Sequence, residues 1–237
     1  QVRDDVNDAT TASPLDVLVS QGQADTTYAP ATVLEYGQTY YWRVDEVNGA
    51  PDNTVFKGEV WSFTAEPIGF PIQSVSATAS SSHSADMGPE KTIDGSGLNA
   101  MDQHSTEATD MWLSGMGDPT PSIQYEFDKV YKLHELWGWN SNQLVESFLG
   151  LGAKDVVIET STDGADWTAL EDTTQFAQAT AAPDYAHNTT VSLGNVMAKY
   201  VRITIHAGFG MLPQYGLSEL RFFAIPTFAR KPEPADG

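Results

Sequence analysis

From residue 74 onward the chain consists of short runs in which apolar and polar residues alternate, separated by Gly, Pro, Asn and Asp. Alternation with a period of two is typical of a β-strand with one buried face, and the residues between the runs favour turns. The pattern predicts strands at 74–79, 122–127, 132–139, 155–160, 189–193, 200–205 and 217–223. No convincing amphipathic helix appears. We therefore expect an all-β fold, either a sandwich or a jelly roll.

The first 66 residues carry a second β pattern. In LEYGQTYYWRVDEVN, residues 34–48, a glycine turn precedes alternation at Tyr40, Trp42 and Val44. This indicates a half-buried antiparallel strand, and EVWSFTAEP at 59–67 indicates the next one. A weaker alternation at Leu15, Val17 and Val19 predicts one more strand.

A short stiff segment, PIGFP at residues 67–71, separates the two patterns. Proline fixes the backbone of such a segment, so we expect a linker there. The final residues, PTFARKPEPADG, are also rich in proline. The sequence therefore predicts a domain at 1–66, a linker at 67–72, a domain at 73–225 and a second linker at 226–237.

Residues 91–112, KTIDGSGLNAMDQHSTEATDMW, predict a long acidic loop. Loops of this length are uncommon in compact domains unless they are functional or disordered. Its carboxylate, hydroxyl and carbonyl oxygens are the ligands that a hard cation such as calcium requires. Two interpretations remain open, a metal-binding loop and a solvated acidic turn, and no EF-hand spacing decides between them.

The charge of the chain narrows its possible partners. The chain contains 12 Lys and Arg residues and 32 Asp and Glu residues, so its formal charge is −20. Nucleic-acid binding depends on Lys and Arg that neutralise phosphates, so nucleic acids and anionic membranes are poor partners. No apolar run is long enough to span a membrane, so no membrane insertion is expected.

The chain has no cysteine, which removes disulfides, thiolate metal sites and Cys nucleophiles together. An extracellular chain without disulfides can rely on tight β packing or bound calcium instead. The chain opens with Gln1 and no signal-like segment, so we expect a mature product or an excised segment.

The spacing of Leu34, Gly37 and Tyr40 resembles the corner between the fifth and sixth strands of fibronectin type III domains. That resemblance implies a tyrosine corner, in which the Tyr40 hydroxyl bonds back to the chain. It covers only the second half of such a domain, so the first strands are missing. One hypothesis is that the chain is a repeat of an extracellular filament or surface array, with strands shared between neighbouring copies.

The order of motifs from Ser74 to Ile225 resembles a discoidin domain, the type found in coagulation-factor C domains and family 32 carbohydrate-binding modules. The motifs are SATASSS, TIDG with a later tryptophan, PSIQYEFDKVYKLHELWGWN, DVVIETSTDGADWTAL, AKYVRITI and YGLSELRFF. The resemblance implies an eight-stranded jelly roll after the partial fibronectin-like sandwich. Because the cysteine pair of animal discoidin domains is missing, the bacterial carbohydrate-binding branch is favoured.

The same resemblance implies a structural calcium ion. Its ligands would be the Lys91 carbonyl, Asp94 and Glu219, together with Asp102 and either Thr106 or Thr109. The acidic loop is longer than in the family, so these positions do not transfer one by one. An unpaired carboxylate at Glu219 would be costly to bury, and a cation would offset that cost. The alternative is a surface Glu219 paired with Arg221 or Arg202.

Glycan binding in such modules uses loops at one end of the sandwich, with an aromatic face and amide or histidine groups. The candidate residues are His104, Trp139, Asn140, Asn142, Gln143 and Tyr215. Trp139 is more often a core residue at such a position. The arginine frequent in galactose-binding members is missing here, which puts galactose-type recognition in doubt.

No catalytic motif stands out, because the five histidines are scattered and no nucleophile elbow or phosphate loop is present. We therefore expect no enzyme and no catalytic residue. The sequence predicts a non-catalytic, calcium-stabilised module, extracellular or at the cell surface. Its partner would be a glycan, or neighbouring copies of the chain if the module is a structural repeat.

Overall fold

The structure is a computed structural model that describes residues 2–3, 20, 22–23, 25–29, 34–170 and 174–227. The chain divides into two compact units, Gln1–Ile68 and Gly69–Gly237. The division falls inside the PIGFP segment, while the finer domain and linker bounds stay predictions. The strand expected around Leu15, Val17 and Val19 and most of the segment 226–237 lie outside the described residues.

The amino-terminal unit contains a three-stranded antiparallel sheet, in the order β1-β2-β5, and a small hairpin formed by β3 and β4. Its strands are β1 Val2–Arg3, β2 Thr39–Trp42, β3 Glu46–Val47, β4 Val55–Phe56 and β5 Trp61–Thr64.

A tyrosine hydroxyl anchors the turn before β2. The backbone N–H of Glu35 donates to the Tyr40 hydroxyl at 2.8 Å, which is the bond back to the chain that the sequence predicts. Cross-strand aromatic pairs then join β2 to β5, with Trp42 and Trp61 at 5.4 Å between ring centroids. The assignment to the fibronectin type III family stays a prediction.

The carboxy-terminal unit is built from twelve described strands, three 3₁₀ turns and one short helix, α1. The strands are β6 Phe70–Pro71, β7 Val75–Ala79, β8 Gln103–His104, β9 Trp112–Leu113, β10 Ser122–Asn140, β11 Ala153–Ser161, β12 Thr168–Ala169, β13 Thr174–Gln175, β14 Tyr185–Ala186, β15 Thr189–Ser192, β16 Met197–Gly208 and β17 Gly216–Ile225. The 3₁₀ turns are Ala85–Met87, Pro89–Thr92 and Ala108–Asp110, and α1 is Glu146–Leu149.

Strand β10 organises this unit. The sequence predicts two strands at 122–127 and 132–139, but the structure joins them into one strand with a register shift between Glu126 and Tyr131. Its first part pairs with β7 and β16, and its second part with β15 and β17. One strand therefore contributes to both halves of the jelly roll.

The core lies between these halves. Every second residue at the start of β10, Ile123, Tyr125 and Phe127, is buried, as the alternation predicts. Tyr125 and Phe127 both pack against Phe222 of β17, with ring centroids 5.0 and 5.2 Å away. The all-β prediction is thus confirmed. Among the described residues, no helix has the length and apolar character needed to cross a membrane.

The central position of β16 makes its core residues sensitive to truncation. Ile203 is fully buried and faces Ile123 of β10 and Ile158 of β11. We expect Ile203→Ala to lower the free energy of unfolding by about 2–5 kcal/mol, because a cavity remains between the strands. Chemical denaturation measures this. Val130→Ala, at a residue 41% exposed, should change it by less than about 0.5 kcal/mol, and equal effects would contradict the assignment of the core.

Candidate functional site

The predicted metal ligands Asp94 and Glu219 lie close together, where the acidic loop meets the last strand. The N–H of Gly95 donates to the Glu219 carboxylate at 3.2 Å, and the Glu219 residue is only 5% exposed. Burial raises the pKa of Glu219 to about 8, and the negative charge of Asp94 adds to the effect. A buried carboxylate with so little compensation is the kind of group that a cation would stabilise.

Asp94 is already organised as an acceptor. Its carboxylate accepts the Ser96 N–H at 2.8 Å and lies 3.5 Å from Lys91 Nζ. Burial opposes its ionisation, but hydrogen bonds from Ser96 and the charge of Lys91 lower the pKa of Asp94 below its ordinary value. Lys91 belongs to the 3₁₀ turn just before, and it is its ammonium group that contacts Asp94, while the Lys91 carbonyl stays a predicted ligand.

The remaining predicted metal ligands are placed differently. The Asp102 carboxylate forms a bidentate ion pair with Arg221, both contacts at 2.9 Å, so its assignment as a metal ligand is corrected. Thr109 is exposed and lines an open polar groove with Asp86 and Glu90, whereas Thr106 is half-buried. Within the described ranges, no group of three or more His, Asp or Glu side chains is placed to hold a metal.

Among the described residues Glu219 forms no direct ion pair with Arg221 or Arg202, although the nearby charge of Arg221 opposes the rise in the pKa of Glu219. Arg221 is engaged by Asp102, and Arg202 is paired with Glu159 at 2.9 Å. Asp94 and Glu219 nevertheless supply two carboxylates, the ligand type that a hard cation prefers.

The predicted glycan ligands in WNSNQ are interior residues, which corrects their assignment. Trp139, Asn140 and Asn142 are at most 1% exposed, and Gln143 is 8% exposed. Asn142 Nδ2 donates to three backbone carbonyls, those of His104, Ser105 and Ala182, at 2.8–3.1 Å. A side chain enclosed in this way cannot meet a sugar at the surface.

His104 is also unavailable to a ligand, whereas Tyr215 keeps part of its surface exposed. His104 is fully buried beside Gly97, and its Nδ1 lies 3.0 Å from the Ser105 carbonyl. Burial lowers the pKa of His104, so the neutral ring is favoured. Tyr215 is half-buried and packs against the core. The assignment of His104 is therefore corrected in the same way, and that of Tyr215 stays a prediction.

Sequence reasoning missed a buried carboxylate at Glu146, at the start of α1. The residue is fully buried and accepts the N–H of Gly152 at 3.0 Å and Gln178 Nε2 at 3.1 Å. Burial raises the pKa of Glu146. Sequence reasoning places an acidic residue of a polar segment at the surface. The one sequence signal for the burial of Glu146 was the glycine-rich stretch that follows it, whose N–H groups are free to donate hydrogen bonds.

Four loops meet at the end of the sandwich that the chain reaches after the buried WNSNQ segment. They are residues 81–88, 113–118, 144–150 and 209–214, which we call the rim. Backbone hydrogen bonds join them in series: His83 to the Leu113 carbonyl at 2.7 Å, Gly117 to that of Pro213 at 3.1 Å and Gly210 to that of Gly150 at 2.9 Å. The rim is therefore one continuous surface.

Glycines allow two of these loops to touch. Gly150 ends α1 with φ of +59°, a conformation that glycine adopts without strain. A Cβ atom on Gly210 would collide with the Leu149 carbonyl. This close approach holds α1 against the loop 209–214.

The rim exposes an unusual amount of apolar surface. Phe148 is 88% exposed and Met211 is completely exposed, with Leu144 at 66% and Met116 at 60%. An apolar surface of this kind on a folded domain is a feature of interaction sites. The sequence analysis did not single out Phe148, Leu144 or Met116, because isolated apolar positions in irregular loops show no periodicity.

Comparison with known proteins identifies the family. The family model for the F5/8 type C domain matches residues 76–213, and the chain belongs to this family. Among curated proteins, none matches the chain. The match confirms the discoidin resemblance stated from the sequence.

Solved structures share the fold at low sequence identity. The module CBM32-3 of a family 31 glycoside hydrolase from Clostridium perfringens is 21% identical with a TM-score of 0.50, covering 66% of this chain and 95% of the module. CpGH89CBM32-5 from the same organism, in complex with GalNAc-β-1,3-galactose, is 17% identical with a TM-score of 0.50, covering 66% and 99%. The family 32 module of NanJ from C. perfringens, in complex with galactose, is 16% identical with a TM-score of 0.48, covering 66% and 98%.

The fold is thus that of the F5/8 type C domain, which the solved family 32 carbohydrate-binding modules share.

The buried amide of Asn142 provides a test of how the rim is supported. Asn142→Ala leaves three carbonyls without their donor, so we expect the free energy of unfolding to fall by about 2–4 kcal/mol. Denaturant titration measures it. Gln73→Ala, at an exposed residue whose one side-chain hydrogen bond is 3.5 Å long, is the matched control and should have little effect. Equal losses in both variants would contradict the role given to Asn142.

Proposed function

We propose that residues 69–227 bind glycans through the rim, without catalysis, as a calcium-stabilised module outside the cell or at its surface. The single observation that carries this proposal is the exposed aromatic ring of Phe148, held on a continuous loop surface of a domain with the fold of carbohydrate-binding modules. Aromatic rings provide the flat apolar surface against which sugar C–H groups pack.

The polar groups of the rim suit hydroxyl recognition around this ring. His83 is exposed and its Nδ1 lies 3.0 Å from Gln214 Nε2, while Ser82 is exposed beside it. Gln214 is itself only 5% exposed and also donates to the Ser114 carbonyl, so it orients His83, and the groups open to a sugar are His83 and Ser82. Neutral donors and acceptors of this type can exchange hydrogen bonds with sugar hydroxyls.

The calcium ion of the proposal would be held by Asp94, Glu219 and the Lys91 carbonyl. Bound there, it would supply positive charge to a buried carboxylate and join the acidic loop to β17. Extracellular modules bind calcium at about 10⁻⁴–10⁻³ M, a range that fits an extracellular setting. This support concerns stability and not chemistry, because no catalytic step is proposed.

A second candidate function is a structural repeat that contacts neighbouring copies. It is favoured by the aromatic face of the amino-terminal unit, where Trp61 is 59% and Phe56 is 54% exposed. The glycan experiment below separates the two, since a structural repeat would bind no sugar.

A glycan array probed with matched variants tests the binding proposal. We expect the wild-type chain to bind a subset of glycans and Phe148→Ala to lose about tenfold or more in affinity, because a largely exposed ring would be buried on binding. Met197→Ala, at a residue 50% exposed on β16 and outside the rim, should bind as the wild type does. Absence of binding at high protein concentration would reject the glycan function.

Chelation tests the calcium proposal. Calcium at about a hundred times its dissociation constant raises the free energy of unfolding by about 2.7 kcal/mol. For a unit of this size, that corresponds to a rise of about 5–10 °C in melting temperature. We expect EDTA to remove this increment in the wild type, and Asp94→Ala to show no difference with or without calcium. Asp166→Ala, at an exposed turn residue, should keep the difference. Identical wild-type melting curves with calcium and with EDTA would reject the site.

A further inference from the structure

The hairpin of the amino-terminal unit contains an asparagine followed by a glycine. Asn48 and Gly49 come directly after β3, and both are exposed. They form the one Asn-Gly pair in the sequence. In such a pair the glycine nitrogen can attack the side-chain carbonyl of the asparagine, because glycine has no Cβ atom to obstruct the approach and its backbone adopts many conformations. The pair is therefore a candidate for spontaneous covalent modification.

The backbone N–H of Gly49 is available for this attack. Two related pairs in the larger unit, Asp94–Gly95 and Asp163–Gly164, differ in this respect. The Gly95 N–H donates to the Glu219 carboxylate at 3.2 Å, and the Gly164 N–H donates to the Ser161 hydroxyl at 2.9 Å. Among the described residues, the Gly49 N–H has no hydrogen-bond acceptor. Of the three glycine nitrogens, that of Gly49 alone can approach its neighbour without breaking a described hydrogen bond.

The side chain that would be attacked is also more reactive at Asn48. Asp163 accepts the N–H groups of Ala165 and Asp166 at 2.9 and 3.0 Å, and these bonds lower the pKa of Asp163. An ionised carboxylate repels a nucleophile, whereas the amide of asparagine is neutral and can release ammonia. Asparagine is for this reason one of the thermolabile residues of proteins.

We propose that Asn48 is a site of spontaneous deamidation and isomerisation. The Gly49 nitrogen forms a bond to Cγ of Asn48 and loses its proton to the solvent, while the bond from Cγ to Nδ2 breaks and ammonia leaves. The product is a cyclic imide. Water then opens the ring at either carbonyl: attack at Cγ gives aspartate at position 48, and attack at the backbone carbonyl gives isoaspartate. The reaction needs no ligand and no redox partner.

The reaction replaces a hydrogen-bond donor by an anion at the end of the hairpin. Asn48 Nδ2 donates to the Asp52 carboxylate at 3.0 Å, and Asp52 also accepts the Thr54 hydroxyl at 2.6 Å. A carboxylate at position 48 repels Asp52 instead. Isoaspartate also adds a methylene group to the backbone beside the bond from the Asn48 N–H to the Thr54 carbonyl, 3.0 Å long. Both products therefore weaken the pairing of β3 with β4.

Peptide mapping by mass spectrometry, on the whole chain incubated at neutral and at mildly alkaline pH, tests the site. We expect Asn48 to convert several times faster than Asn99 and Asn195, which are exposed but precede alanine and valine. The rate should rise with pH, because base removes the Gly49 proton. Conversion of Asn99 or Asn195 as fast as that of Asn48 would overturn the proposal.

Gly49→Ala is the matched variant for the proposed route. An added Cβ atom would meet nothing within 4 Å beyond the neighbouring residues, so the variant should fold as the wild type does. It should convert several times more slowly, because the methyl group obstructs the approach of the nitrogen. Equal rates in the wild type and in Gly49→Ala would overturn the cyclic route.

Amide hydrogen exchange measures the effect on the hairpin. After incubation, the amides of residues 46–56 should exchange faster in the wild type, whereas those of β10 should not change. The same amides in incubated Gly49→Ala should exchange as before incubation. Unchanged exchange in a wild-type sample that mass spectrometry shows to be converted would overturn the weakening of the β3–β4 pairing.

Discussion

A buried polar segment at the end of β10 determines how the loops of the larger unit are arranged. Asn140 donates to the carbonyls of Ala153 and Ala177, and Asn142 donates to those of His104, Ser105 and Ala182. Buried carbonyls need such donors, because an unpaired one costs about 1–3 kcal/mol. The segment thus joins the acidic loop, the start of β11 and the loop 177–186 around one strand.

This interior network has a direct consequence for the surface. After this network the chain reaches Glu146, whose buried carboxylate accepts the N–H of Gly152. Between these two residues the chain forms α1, which exposes Phe148. The position of the exposed ring is therefore fixed by residues that a ligand never touches. Binding to a preformed surface avoids the cost of ordering loops.

The fold could be predicted from the sequence because alternation and turn residues are local signals. The burial of Ile123, Tyr125 and Phe127 was readable in this way, whereas the Tyr40 hydrogen bond was expected from the resemblance to a fibronectin type III corner. The candidate glycan site could not be predicted, since the sequence does not show whether an Asn or Gln side chain binds sugar hydroxyls or backbone carbonyls. The prediction of Asp102 as a metal ligand failed for a similar reason, because its ion-pair partner Arg221 is distant in the chain. Phe148 gave no sequence signal at all.

Titration of the ¹⁵N-labelled chain with a glycan that it binds on the array, followed by amide chemical-shift mapping, tests the account most directly. The account predicts that the perturbed amides cluster in residues 113–118, 144–150 and 209–214, with the buried segment at Asn140 and Asn142 unperturbed. Perturbations centred instead on the outer face of the sheet around Trp137, with none in the rim, would contradict it.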